Sequence, residues 1–277
     1  MKYNAIALDF DGTTLRGDGT VSERTLNAIK EYKARGGKIA LCTGRMFNSI
    51  APEAERAGLG GEVYCYNGAA LYDTKSGVRR AHFPVPTKSI AGICKYFEER
   101  DLYFQTYLDD VVFCQKFSEA GDYYYKHFSK GARFATGIPL SAYFEKHPEA
   151  RPTKFLAILN PDEMRGHIDA INESLGGPIT AMCSNAEYLE IVSARAGKGN
   201  ALLNFCKQTG VPVEQCVAFG DSLNDIPMLK AAGVGIAVEN ARDEVKAIAD
   251  YVCPSNDEDG VARVIEMIIG GSFELMK

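Results

Sequence analysis

Two stretches of the same α/β pattern, separated by a stretch of different texture, set the expected fold of this 277-residue chain. Short apolar runs alternate with amphipathic helical segments over residues 3–66 and again over 198–269, whereas residues 84–192 break that rhythm. The pattern predicts an α/β fold: a Rossmann-like parallel-sheet core with an inserted α+β cap domain. The expected division is 1–83 for the first part of the core, 84–192 for the insertion and 193–277 for the rest of the core.

Residues 3–10 are short and apolar and end at Asp11-Gly12, so they read as a buried strand whose carboxyl end carries Asp9. Residues 22–35 follow as a helix, with Ser22 as N-cap, Leu26, Ile29 and Tyr32 or the stem of Lys33 toward the sheet, and Gly36-Gly37 as the stop. Residues 38–42 form the next strand, and 46–57 a helix disturbed at Pro52. Residues 63–66 form a third strand opening into Asn67-Gly68. Such a βαβαβ order implies parallel pairing. The pattern returns late in the chain: helix 198–208, strand 216–219, helix 226–232, strand 235–238 and a closing helix over 261–269. The insertion begins near Pro84-Val85-Pro86 and reads as extended at 103–104, 111–113, 155–159 and 188–192. Three tyrosines at 123–125 fit an amphipathic helix on a sheet as well as they fit a ligand wall.

Composition bounds the function. With 46% hydrophobic residues the chain has material for a sizeable core. Its formal charge of −5 provides no basic field for nucleic acid or an anionic membrane, and no membrane span is expected. Its eight cysteines form no CxxC pair or Cys/His cluster and read as buried thiols of a reducing compartment. The first residues lack the length and sequel of a signal peptide, so the expected location is cytoplasmic. The chain is expected to be a monomer or weak homo-oligomer.

The chemistry gathers at the carboxyl ends of the strands, where open α/β sheets place their ligand crevice. Asp9 and Asp11 lie two apart at a strand end, and Gly12 lets the chain turn closely. One carboxylate of such a pair can attack phosphorus while the other gives a proton to the leaving oxygen and later takes one from water. By itself the DxDG string also fits an ordinary turn or a calcium-like loop. Carboxylates facing a phosphate need a hard cation between them, for which Mg2+ is suited. Asp221 offers a further oxygen, and the backbone carbonyl of Asp11 another. Asn224 and Asp225 sit in the first turn of the next helix, either as support for the site or as caps. Thr43, ahead of Gly44-Arg45, can meet a phosphoryl oxygen near a helix start. Lys198, at the entrance to another helix, can neutralise the attacking carboxylate and developing charge.

Taken together, Asp9-Phe10-Asp11-Gly12-Thr13-Thr14-Leu15, Cys42-Thr43-Gly44-Arg45, Tyr66-Asn67-Gly68-Ala69, Gly197-Lys198-Gly199-Asn200-Ala201-Leu202 and Gly220-Asp221-Ser222-Leu223-Asn224-Asp225 resemble the haloacid dehalogenase-like hydrolases, in particular the Cof-type phosphatases with a large α/β cap. The resemblance spans nearly the whole chain. It implies Asp9 as nucleophile, Asp11 as acid/base, Thr43 and Lys198 as partners of phosphate and nucleophile, and a Mg2+ site built on Asp9, Asp11 and Asp221. Asn224 would contact phosphate or substrate and Asp225 would support the site. Thr14 stands where many such chains carry Leu, and Glu239 where they often carry Met.

The expected activity is therefore Mg2+-dependent hydrolysis of small phosphomonoesters, such as sugar phosphates, through an aspartyl-phosphate. A phosphomutase using the same covalent chemistry, or a non-catalytic phospholigand sensor, are the alternatives. Selectivity is expected from the insertion, since the core grips a group common to all esters. Gly44, Arg45 and Asn67 are candidate substrate contacts on the core side, and Lys154 and Glu187 on the inserted side.

Overall fold

The computed structural model describes residues 1–126 and 131–273. Strand β1 (Ala5–Leu8) is wholly buried. Helix α1 (Glu23–Ala34) starts where the Ser22 hydroxyl accepts the Thr25 N–H at 3.0 Å, and buries Ala28, Ile29 and Tyr32 while Leu26 is half-covered. Gly36, at φ +89°, turns the chain into β2 (Lys38–Cys42). Helix α2 (Phe47–Arg56) runs through Pro52 without breaking. Proline removes an N–H that the helix would use, and a cap from far along the chain offsets the loss: the Asp110 carboxylate accepts Phe47 N–H at 2.8 Å and Asn48 N–H at 2.7 Å. Strand β3 (Glu62–Cys65) leads into a tight turn, then into β4 (Ala70–Asp73) and β5 (Arg79–His82).

The middle of the chain carries α3 (Thr87–Glu98), β6 (Phe104–Leu108), β7 (Val111–Cys114), α4 (Glu119–Tyr124), β8 (Ala132–Ala135) and α5 (Leu140–Lys146). It continues through β9 (Lys154–Ile158), α6 (Met164–Leu175), β10 (Ile179–Asn185) and β11 (Tyr188–Ser193). The last third carries α7 (Lys198–Thr209), β12 (Cys216–Gly220), α8 (Ile226–Ala231), β13 (Val234–Val238), α9 (Asp243–Lys246), β14 (Tyr251–Cys253) and α10 (Gly260–Gly270).

Among the described residues these strands make two sheets. The first has the order β14-β13-β12-β1-β2-β3-β4-β5, parallel from β14 to β3 and antiparallel at β4 and β5. Helices pack on this α/β core as the sequence pattern predicts. The second has the order β10-β11-β9-β6-β7-β8 and is antiparallel except between β7 and β8. Register positions the site: Leu8 lies level with Leu41 on one side and Phe219 on the other, so β1, β2 and β12 end together. The residues just beyond those ends, Asp9, Thr43 and Asp221, emerge at one edge of the sheet. No helix among the described residues is long and apolar enough to cross a membrane.

Several elements go beyond the sequence expectation. Strands β5 and β8 have the sequences RRAH and ARFA, without apolar alternation, and β14 is three residues long. All three lie at sheet edges, where pairing to one neighbour tolerates polar side chains. On β5, His82 sits with Nε2 3.0 Å from Thr153 Oγ1, and burial, reinforced by Arg79, pushes its pKa down from 6.5 to about 4. The unfolded chain therefore binds a proton between pH 6.5 and about 4 that the folded chain refuses. Stability from this source is complete above the upper value and lost as pH falls through the lower one. His82→Gln is expected to flatten the rise of the thermal midpoint over that interval; an unchanged slope in the variant would contradict the assignment.

Candidate active site

Three loops and one helix start build the site. Directly after β1, Asp9 is buried, with its N–H bonded to the Phe219 carbonyl at 3.1 Å and its own carbonyl accepting the Thr14 hydroxyl at 2.6 Å. Lys198, the first residue of α7, is buried and reaches Asp9 Oδ1 at 2.5 Å and Asp225 Oδ1 at 2.6 Å. Gly197 precedes it at φ +119°, a backbone conformation that glycine alone adopts freely. Asp225 is wholly buried; its other oxygen accepts the N–H groups of Asp221 at 3.1 Å and Ser222 at 2.9 Å. Asp221 is held in turn by the hydroxyls of Thr13 at 2.7 Å and Ser222 at 3.0 Å.

The electrostatics follow from this crowding. Burial and the neighbouring Asp225 raise the Asp9 pKa well above the usual carboxylate range, against the pull of Lys198. The Asp221 pKa is raised for the same two reasons, burial first. Burial acts against the charge on Lys198, but Asp225 and Asp9 outweigh it and raise its pKa. Oxygens of Asp9, Asp221 and Asp225 lie within 4.8 Å of one another. Three carboxylates against one ammonium leave a surplus of negative charge, and every donor is a hard oxygen. That set fits a hard divalent cation of the Mg2+ type. Gly12 lets the Asp221 carboxylate approach the chain: at φ +75°, a Cβ there would stand 2.7 Å from Asp221 Oδ2.

Asp11 differs from Asp9. Its carboxylate is half-exposed, is not among the clustered oxygens, and is gripped at both oxygens by Arg45, with Nε donating to Oδ2 at 2.8 Å. Arg45 also donates to Glu53 at 2.9 Å and lies over the Phe10 ring. Thr43 is buried, with Oγ1 accepting the Arg45 N–H at 3.1 Å. Asn67 is buried in a left-handed turn at φ 55°; its N–H bonds the Thr43 carbonyl at 2.8 Å and its carbonyl accepts the Gly197 N–H at 2.7 Å. The Asn67 side chain accepts from Asn224 Nδ2 at 2.9 Å and donates to Glu190 at 2.8 Å.

Asp9, Asp11, Gly44, Arg45, Lys198 and Asn224 line one cavity of about 150 Å³. Ser222 lines it too, and Tyr124, Ser184, Tyr188 and Glu190 from the middle of the chain close its other side. Thr43 and Asn67 stand behind the wall, while Asp221 and Asp225 join the carboxylate cluster. Lys154 and Glu187 do not line the cavity. Lys154 is buried against Glu190 at 2.9 Å and donates to the Gly44 carbonyl at 3.2 Å; Glu187 is exposed in the turn before β11. The sequence signal for Glu190 was the run Tyr-Leu-Glu-Ile-Val-Ser, where a charge interrupts a strand that is buried on both faces. Of the three adjacent tyrosines, Tyr124 lines the cavity and Tyr123 is exposed.

Comparison with known proteins assigns the chain to a family. The chain is 29% identical to phosphatase YwpJ of Bacillus subtilis over 95% of its length and 99% of the relative's. It is 28% identical to pyridoxal phosphate phosphatase YbhA of Escherichia coli, covering 96% and 98% of the two chains. The crystal structure of TM0651 from Thermotoga maritima superposes with a TM-score of 0.80 at 28% identity, over 99% of this chain and 100% of that one. The family model for haloacid dehalogenase-like hydrolases matches residues 6–265, and the chain belongs to that family.

Proposed function

We propose that the protein is a Mg2+-dependent phosphatase of small phosphomonoesters that works through an aspartyl-phosphate on Asp9. The observation that carries this reading is the contrast between two carboxylates in one cavity: Asp9 is buried against Lys198, whereas Asp11 is half-exposed and held by Arg45. Two acids in unlike surroundings suit unlike roles. Beside Mg2+, Asp9 would stay ionised for attack despite its raised pKa, and Asp11 must part from Arg45 to carry a proton to the leaving oxygen. The Asp9 carboxylate attacks phosphorus, and the ester oxygen leaves with a proton from Asp11. Asp11 then takes a proton from water, the resulting hydroxide attacks the acyl phosphate, and inorganic phosphate departs with Asp9 restored. Gly44, Lys198 and Asn224 hold the phosphoryl oxygens from the cavity wall, and Thr43 behind them fixes the loop through the Arg45 N–H. Mg2+, held by Asp9 and Asp221 with the Asp11 carbonyl, would neutralise charge between the carboxylates and the phosphate. Asp225 keeps Lys198 and the Asp221 backbone in place. The names of YwpJ and YbhA as phosphatases support the class of activity.

In the same reading, residues 84–192 form a cap that chooses among esters, with 1–83 and 193–277 as the catalytic core. The core grips only the phosphoryl group, so walls such as Tyr124 and Tyr188 must discriminate leaving groups. Sugar phosphates and related cytoplasmic metabolites are the proposed substrates, taken by a monomer or weak homo-oligomer. The test is phosphate release from a panel of sugar phosphates, flavin mononucleotide, pyridoxal phosphate, nucleotides and phosphoglycolate. Turnover of more than one ester, lost on chelation and restored by Mg2+, is expected. No release from any compound, or full activity in metal-free protein, would overturn the proposal.

A further inference from the structure

A buried carboxylate of the second sheet reaches into the core beside the phosphate loop. Glu190, on β11, is buried, and both its oxygens are in use: Oε1 by Lys154 at 2.9 Å and the Ser184 hydroxyl at 2.8 Å, Oε2 by Asn67 Nδ2 at 2.8 Å. Glu190 thus touches the cavity without an oxygen to spare. Lys154, as buried as its partner, has the Gly44 carbonyl as a further acceptor. Burial works against its charge, yet Glu190 and Tyr124 hold its pKa above the ordinary value.

Hydrogen-bond polarity then propagates in one direction. An ionised carboxylate has no proton to give, so Asn67 must turn its amide nitrogen toward Glu190 and its oxygen toward Asn224. Asn224 must in turn offer its own nitrogen to that oxygen, at 2.9 Å, which leaves Asn224 Oδ1 buried without a partner among the described residues. Asn224 therefore has one permitted orientation at the cavity wall. The price is a buried acceptor left without a hydrogen bond.

We propose that Glu190 is a positioning residue for phosphate: acting through Asn67, its acceptor oxygen fixes which way the Asn224 amide faces, and Lys154 keeps that carboxylate buried rather than contacting substrate. The inference rests on the proposed phosphate site, and its test uses binding so that it does not depend on turnover. Three variants are compared for thermal midpoint and for the dissociation constant of inorganic phosphate with Mg2+ by calorimetry.

Glu190→Leu alone strands the Lys154 ammonium and is expected to lower both stability and phosphate affinity. Lys154→Met/Glu190→Leu removes the whole pair and is expected to recover the thermal midpoint, since apolar replacements of a buried pair are often neutral or better. Its phosphate affinity stays about 10–100-fold below wild type, by analogy with the loss seen when a residue that orients a metal ligand is removed. Lys154→Met/Glu190→Gln keeps an oxygen that Asn67 can donate to, with the Ser184 hydroxyl free to accept from the new amide, and is expected to recover affinity as well. Equal phosphate binding by the two double variants would overturn the proposal, as would a wild-type protein that binds no phosphate. Phosphate binding that follows this pattern in a protein that hydrolyses no ester would uphold the role of Glu190 and defeat the proposed phosphatase.

Discussion

Asp9→Asn is expected to lose turnover by on the order of 10⁴-fold or more, the scale seen when a covalent nucleophile is removed, while raising the thermal midpoint of the metal-free protein. The two effects have one origin. Asp9 is 4% exposed, and burial with Asp225 close by raises its pKa even though Lys198 touches it. A raised carboxylate pKa means that the ionised form destabilises the fold at neutral pH. The amide has the same shape and no charge, and it leaves Lys198 to Asp225 at 2.6 Å. Phosphate release and unfolding in the presence of chelator check both halves. Wild-type turnover in a pure variant would remove Asp9 as nucleophile, and a lowered midpoint would show that its ion pair with Lys198 outweighs its burial.

Lys198→Met is expected to cost activity as well, with the opposite sign in stability. Lys198 is the ammonium that Asp9 and Asp225 share, at 2.5 and 2.6 Å, and all three side chains are nearly inaccessible. Removing it leaves two buried carboxylates facing each other without a counter-charge. Breaking a buried pair in this way costs roughly 3–5 kcal/mol, and losing a preorganised cation at the reacting centre costs ~10²–10³ in kcat. Adding Asp225→Asn removes one of the two stranded charges. The double variant is expected to regain much of the stability in denaturant titrations and none of the activity. If Lys198→Met alone unfolds at the wild-type midpoint, the ammonium is not what offsets those charges.

The core was legible because its signals are local. Ser22 caps α1, Lys38–Cys42 is a strand with the expected ends, and the apolar runs that predict parallel strands pair in parallel. Thr14, unusual in its place, is put to use by donating to the Asp9 carbonyl. Glu239 is exposed and its carbonyl accepts from Lys246. What the sequence hid was pairing across long separations. Arg45 is polar and well placed for a substrate, but Asp11 and Glu53 already occupy it. Lys154 and Glu190 lie 36 positions apart on strands that both pair within one sheet, and nothing in either strand alone names its partner. Glu187 was the more visible acid because it sits in a turn, whereas the acid at the cavity lies three residues further on, inside the strand.

The tip of the β6–β7 hairpin has a consequence for how the middle of the chain can be exchanged. Asp109 and Asp110 form a two-residue turn at φ 47° and 63°, a backbone that favours Asn, Asp and Gly. Of these, the acid at 110 also satisfies the first two N–H groups of α2 and takes the Tyr66 hydroxyl. Asn-Gly, the usual choice for such a turn, would fold the hairpin equally well and leave α2 uncapped beside Pro52. A graft that replaces residues 84–192 with foreign sequence must therefore carry an aspartate at this tip, besides matching the contacts of Lys154 with Gly44 and of Glu190 with Asn67. Exchange of this stretch is thus limited by the helix start it must cap as well as by the cavity it lines.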